Sequence, residues 1–230
     1  MNDRHISLDP RLSVIAELVG SCESYADIGC DHGRLGAFLL QTDRVRRAQL
    51  TDISADSLKK AQRLIRMLGL NDRVDFLVGD GAKALIRQPQ VTVIAGMGGA
   101  LIARLIREGR ECLGDSRLIL QPNVAAYELR QTLMEQGYRI YDERIAPDGR
   151  RHYVVIAAEP GEARYSDIEL TVGPVLFRDM PETLEPYVRF QLRVAKKALE
   201  GARAGGDTFE IMTHEKTYYL WKGVLECLQA

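Results

Sequence analysis

The run Asp27-Ile28-Gly29-Cys30-Asp31-His32-Gly33 sets two carboxylates, an imidazole and two glycines directly behind a short apolar segment that begins at Tyr25. Glycine serves a strand-to-helix turn where the backbone must take positive φ or approach a ligand more closely than a Cβ allows, so Gly29 and Gly33 bracket a contact surface. Alone, such a turn fits equally an α/β protein that binds nothing there. Two further strand ends sharpen the reading. Gln49-Leu50-Thr51-Asp52-Ile53-Ser54 closes a second apolar run on an acid 25 positions after Asp27. In a doubly wound sheet that place faces the ribose hydroxyls of a nucleoside cofactor. Val74-Asp75-Phe76-Leu77-Val78-Gly79-Asp80-Gly81 closes a third, and its Asp80 could accept a hydrogen bond from an adenine amine. Each acid taken singly also suits a helix N-cap; three in strand order make a constellation.

The elements that must position these residues alternate strand and helix. Leu12, Ile15, Ala16 and Val19 have helical spacing over Arg11–Val19, which brings Arg11, and Arg4 before it, to the mouth of the loop. Arg34–Gln41 reads as a helix and Arg47–Ile53 as the second strand. Ser54 caps a helix with apolar positions Leu58, Ala61, Leu64, Ile65 and Leu68, and Gly69 ends it. Gln90–Ala95 is a fourth strand, followed by Gly96-Met97-Gly98-Gly99 and a helix; Arg117–Leu120 is a fifth, closing on Gln121-Pro122-Asn123. A helix over 125–136 leads to a strand over 138–145. Asp148-Gly149 then turns the chain into Tyr153–Ala158. Parallel strands need a long crossover, and Pro147–Arg151 is only long enough for a hairpin, so the final strand runs antiparallel. A parallel sheet closed by a reversed strand is the layout of Rossmann-like methyltransferases rather than dehydrogenases.

Residues 160–181 carry proline and glycine with little helical repeat and read as an irregular connector. Beyond them Leu184, Val188, Leu192, Ala195, Leu199 and Ala202 form one helix stripe. After Gly205-Gly206, the residues Phe209, Met212, Lys216, Leu220, Val224 and Leu228 form a partner face, giving an antiparallel helical hairpin. The expected division is therefore a catalytic domain over 1–160 and a connector with a coiled-coil hairpin over 161–230.

Composition bounds the rest. With 230 residues, 46% hydrophobic, 27% charged and net charge −1, the chain is long enough for one substantial core, and it is neither disordered nor strongly polyanion-seeking overall. A local basic patch remains available, since Arg34–Arg66 holds eight basic residues against three acidic ones. The four cysteines, Cys22, Cys30, Cys112 and Cys227, have no metal-ligand or disulfide spacing. A reducing cytoplasm, with no metal, is the expectation. Residues 1–10 hold no apolar signal core, and no apolar run is long enough to span a membrane.

Asp27-Ile28-Gly29-Cys30-Asp31-His32-Gly33, Gly79-Asp80-Gly81, Ala95-Gly96-Met97-Gly98-Gly99 and Leu120-Gln121-Pro122-Asn123 together resemble the bacterial TrmK family, S-adenosylmethionine-dependent tRNA (adenine(22)-N1)-methyltransferases. The resemblance spans about Leu8 to Ala158 and extends more loosely into the helical hairpin. Generic methyltransferases carry glycine where this chain has Asp31, and amino-methylating enzymes carry an Asn-Pro-Pro-aromatic run after strand four; both departures match the TrmK pattern. The resemblance implies S-adenosyl-L-methionine as cofactor and tRNA as partner. It implies Asp31 and His32 as catalytic residues. Cofactor contacts would come from Asp27, Gly29, Asp31, Gly33, Asp52, Ile53, Gly79, Asp80, Gly81, Ala95, Gly96 and Met97, and substrate contacts from Arg11, Arg34, Asn123 and Tyr153. Asn123 equally suits a helix cap and Tyr153 a plain strand aromatic. Three rivals stand beside this reading: a methyltransferase for a small molecule or protein, a nucleotide-binding dehydrogenase, and a non-catalytic RNA binder.

Overall fold

In the computed structural model, which describes residues 6–149 and 151–229, seven strands form one sheet in the order β3-β2-β1-β4-β5-β7-β6. Arg4 lies outside the described residues. The strands are β1 (Cys22–Ile28), β2 (Val45–Asp52), β3 (Val74–Val78), β4 (Val91–Met97), β5 (Arg117–Pro122), β6 (Tyr138–Asp148) and β7 (Arg151–Pro160). The pairs among β1 to β5 are parallel, whereas β7 runs antiparallel to both β5 and β6. This is the reversed strand that the short turn requires. The β6–β7 hairpin is longer than its sequence suggests, with pairing that continues to Asp148 and Arg151.

Five helices flank the sheet: α1 (Pro10–Val19), α2 (Arg34–Gln41), α3 (Ala55–Met67), α4 (Gly99–Leu113) and α5 (Ala126–Glu135). Their starts follow local chemistry. The Asp9 side chain accepts from the Leu12 amide at α1, and Ser54 accepts from Ser57 at α3. Ile15, Ala16 and Val19 of α1 join an apolar cluster with Ile119 of β5 and Val155 and Ala157 of β7. So α1 covers the face of β5 and β7 and brings Arg11 to the carboxyl ends of the central strands.

The expected irregular connector is two short helices, α6 (Asp167–Val172) and α7 (Pro174–Asp179). A capping box at Ser166 starts the first, and Pro174 opens the second. Tertiary contacts hold them. Arg130 and Glu143, both with fully buried side chains, form an ion pair of 2.8 Å. The guanidinium of Arg130 also donates to the carbonyls of Leu170, Thr171 and Val172 at the end of α6, and Glu143 accepts from the Val175 amide at the start of α7.

The hairpin consists of α8 (Leu184–Gly205) and α9 (Thr208–Leu228). The α8 stripe is as expected, with Leu184, Val188, Ala195, Leu199 and Ala202 buried. The proposed α9 face is wrong over its first half: Phe209 and Met212 are 79% and 65% exposed, while Trp221 and Val224 are buried. At the roots of the hairpin, Leu184, Tyr187, Val188, Trp221 and Val224 belong to the same apolar cluster as Leu118, Leu120, Val154 and Ile156 of the sheet.

Candidate active site

A cleft of about 540 Å³ opens at the carboxyl ends of β1 to β4. It is lined by Asp27, Gly29, Asp31, His32, Arg34, Asp52, Ile53, Gly79, Asp80, Gly81, Ala95, Gly96 and Met97, together with Arg11. Gly33 is the one expected cofactor contact that does not line it. It is buried, and a Cβ there would come within 2.8 Å of the Ala61 Cβ, so it lets α2 approach α3. Gly29 answers a different demand. It sits at φ +77°, and an added Cβ would stand 2.1 Å from the Met97 methyl. The floor of the cleft is thus backbone with Met97 laid across it.

Asp31 takes φ +49°, the left-handed region that L side chains rarely occupy. This explains in backbone terms why a glycine is usual at this position. Asp52 stabilises the turn, because one carboxylate oxygen accepts from the Asp31 amide at 3.0 Å and the other from the Ser54 amide at 2.8 Å. Each oxygen keeps a lone pair for a further donor. Beside it Ile53 is 74% exposed, an apolar face bare at the cleft wall.

Asp27 is buried, and that burial, with the negative charge of Asp52 adding to it, raises its carboxyl from 3.8 to about 7. Burial likewise pushes the Cys30 thiol up, which makes it a poor nucleophile. Asp80 faces Arg104, whose Nη1 is 3.2 Å away and also reaches Glu108; Arg104 was not anticipated from sequence. His32 lies at the rim, its Nε2 3.2 Å from Lys60 Nζ and 3.6 Å from Asp31 Oδ1.

A second cavity, of about 1050 Å³, adjoins the first at Gly96 and Arg11. Its near end carries Asn123 and Tyr153, the two residues expected at the substrate wall. Its far end is made by α8 and α9, through Tyr187, Phe190, Lys216 and Trp221. The rings of His152 and Phe190 lie 5.6 Å apart there, and neither was anticipated from sequence. Arg11 spans the passage, its guanidinium 5.8 Å from the Tyr153 ring centre. Arg34 instead donates to the Ser7 carbonyl.

The basic run from Arg34 to Arg66 does not form one patch. Arg46 and Arg47 stand near the start of β2, at the opposite end of the sheet from the cleft, while Lys60 reaches His32 from α3. Among the described residues there is no cluster able to hold a metal, and no helix is long and apolar enough to cross a membrane.

Residues 8–156 match a family model described as a methyltransferase domain. The tRNA (adenine(22)-N(1))-methyltransferase of Bacillus subtilis (strain 168) is 34% identical over 182 residues, 76% of each chain. The crystal structure of the B. subtilis m1A22 tRNA methyltransferase TrmK matches with a TM-score of 0.85 at 27% identity, covering 96% of this chain and 100% of that one. A Streptococcus pneumoniae protein, described as a candidate tRNA (m1A22) methyltransferase in complex with S-adenosyl-L-methionine, matches with a TM-score of 0.84 at 27% identity over 95% of this chain and 100% of that one. Strand order, reversed β7 and the cleft at the carboxyl edge define a Rossmann-like class I methyltransferase. Within that class the chain belongs to the TrmK family of tRNA (adenine(22)-N1)-methyltransferases.

Proposed function

We propose that this protein methylates N1 of adenosine 22 in tRNA. The observation that carries the proposal is the meeting of two cavities at Gly96 and Arg11: a cleft suited to a nucleoside cofactor opens into a larger space suited to an unstacked base. The residues of the first fit S-adenosylmethionine. Asp52 has free lone pairs for ribose hydroxyls, Ile53 offers an apolar face, Asp80 can accept from an amine, and Gly29 leaves room for Met97 across the floor. When bound, that cofactor supplies an electrophilic methyl group.

Adenine N1 is unprotonated at neutral pH and presents a lone pair, so the protein has to align it rather than deprotonate it. Alignment of two reactants contributes up to roughly 7 to 11 kcal/mol in favourable systems. Asp31, exposed on the loop after β1 and lining the first cleft, accepts from the adenine amine or balances the positive charge of the methylated base, and His32 contacts the incoming nucleotide beside it. Arg34, with Lys60 near His32, meets phosphates, and Arg11 stands at the passage where the base enters. In this reading residues 1–160 form the catalytic unit and the helices beyond 161 form the far wall for RNA. A tRNA substrate supports a cytoplasmic reaction.

The test is incubation of the purified protein with labelled S-adenosylmethionine and unmodified bacterial tRNA, followed by nucleoside analysis and mapping. The expected product is 1-methyladenosine at position 22, lost in Asp31→Ala. Cofactor binding without methylation of any tRNA would move a small-molecule or protein substrate to the front.

A further inference from the structure

The Gln121 side chain, fully buried at the end of β5, makes three hydrogen bonds at the passage between the cavities. Its Oε1 accepts from Arg11 Nη1 at 2.6 Å and from the Gly96 amide at 3.1 Å. Its Nε2 donates to Asn123 Oδ1 at 3.1 Å. Asn123 in turn donates from Nδ2 to the Gly96 carbonyl at 2.8 Å, and its own amide donates to the Met97 carbonyl at 2.8 Å. The ring closes on Gly96, where β4 departs from regular pairing with β5.

The orientation of both amides follows from groups that cannot change role. A backbone N–H and a guanidinium only donate, so the Gln121 atom facing them is oxygen and the atom facing Asn123 is nitrogen. The Gly96 carbonyl only accepts, so Asn123 turns its nitrogen there and its oxygen toward Gln121. We propose that Gln121 is a positioning residue for methyl transfer, fixing the Asn123 amide and the Arg11 guanidinium as the pair that meets the target adenine. The proposal rests on the tRNA reading above. Asn123 and Arg11 both line the cavity that would receive the base, whereas Gln121 is sealed behind them.

This arrangement distinguishes a specific role from a packing role. In Gln121→Glu the introduced carboxylate satisfies Arg11 and Gly96, but its second oxygen faces Asn123 Oδ1. Turning Asn123 over moves the conflict to the Gly96 carbonyl and does not remove it. Protonation of the carboxylate does remove it, because the acid O–H donates where the amide did.

The experiment measures the rate of tRNA methylation by wild type, Gln121→Glu and Gln121→Leu at pH values from about 5.5 to 8.5. At high pH, Gln121→Glu is expected to lose on the order of 10- to 100-fold, and its rate relative to wild type rises several-fold as the pH falls. Gln121→Leu loses a similar factor at every pH. Asn123→Asp, at an exposed position where folding is not at stake, carries the same conflict with Gly96 and repeats the pH trend should Gln121→Glu fail to fold. A pH-independent ratio for both acidic variants, or full activity of Gln121→Leu, overturns the proposal while leaving the tRNA reading in place. A wild-type protein that methylates no tRNA at any pH overturns both.

Discussion

Asp27 ends β1 with its carboxyl out of solvent, and burial lifts it from 3.8 to about 7. Between those values the folded protein holds a proton that the unfolded chain has released, so stability falls as pH rises through the window and levels off above 7. At 1.36 kcal/mol per pH unit the loss approaches roughly 4 kcal/mol. Urea unfolding of the cofactor-free protein at pH 5 and pH 8 should show this decline, and Asp27→Asn should flatten it. Gly29 makes an equally local demand. Gly29→Ala places a methyl on the Met97 methyl at positive φ, so a loss of about 1 to 3 kcal/mol in stability is expected. Shortening Met97 would relieve the contact but not the backbone strain, which thermal unfolding of Gly29→Ala alone and combined with Met97→Ala would separate.

Among the elements, α6 and α7 depend most on distant residues. Each has only six residues, too few to display an apolar period, and Gly173-Pro174 between them reads as a break. Their stability comes from Arg130 and Glu143, which are 40 and 32 residues away from the carbonyl and amide they hold. Arg130→Met leaves Glu143 buried without its counter-charge and should cost about 3 to 5 kcal/mol. Hydrogen exchange should then quicken first at Leu170–Val175. The sheet, by contrast, was legible because its strands are apolar runs that end in turn residues, and the short turn after Pro147 fixed the direction of β7. The cleft was legible for the same reason, since its acids sit at strand ends. Gln121 was not: one glutamine in an apolar strand acquires its meaning only from Arg11, 110 residues earlier, and from Gly96. The α9 face was misjudged at Phe209 and Met212 because spacing alone does not set the rotation of a helix on its partner.

At the level of the whole molecule, the sheet and the roots of α8 and α9 share one apolar cluster. Trp221, the only tryptophan in the chain, stands where that cluster borders the larger cavity, edge-on to Tyr187. Its fluorescence should therefore respond to tRNA and stay nearly constant with cofactor alone, an outcome that titration of each ligand checks directly. With a net charge of −1 the chain as a whole does not attract polyanions, so tRNA affinity depends on a few arginines and lysines near the cleft. It should drop at least about tenfold between 50 and 200 mM salt. The 22 residues of α8 extend about 33 Å from a base locked into the sheet's own core. For an RNA that reached both the catalytic cleft and the exposed tip around Phe209, such an arm would work as a calliper, its gap set by protein packing rather than by the RNA. Selection of the nucleotide would then be a measurement of distance along a folded RNA. A hairpin lengthened by one full turn in both helices should shift or abolish methylation without touching a single residue of the active site.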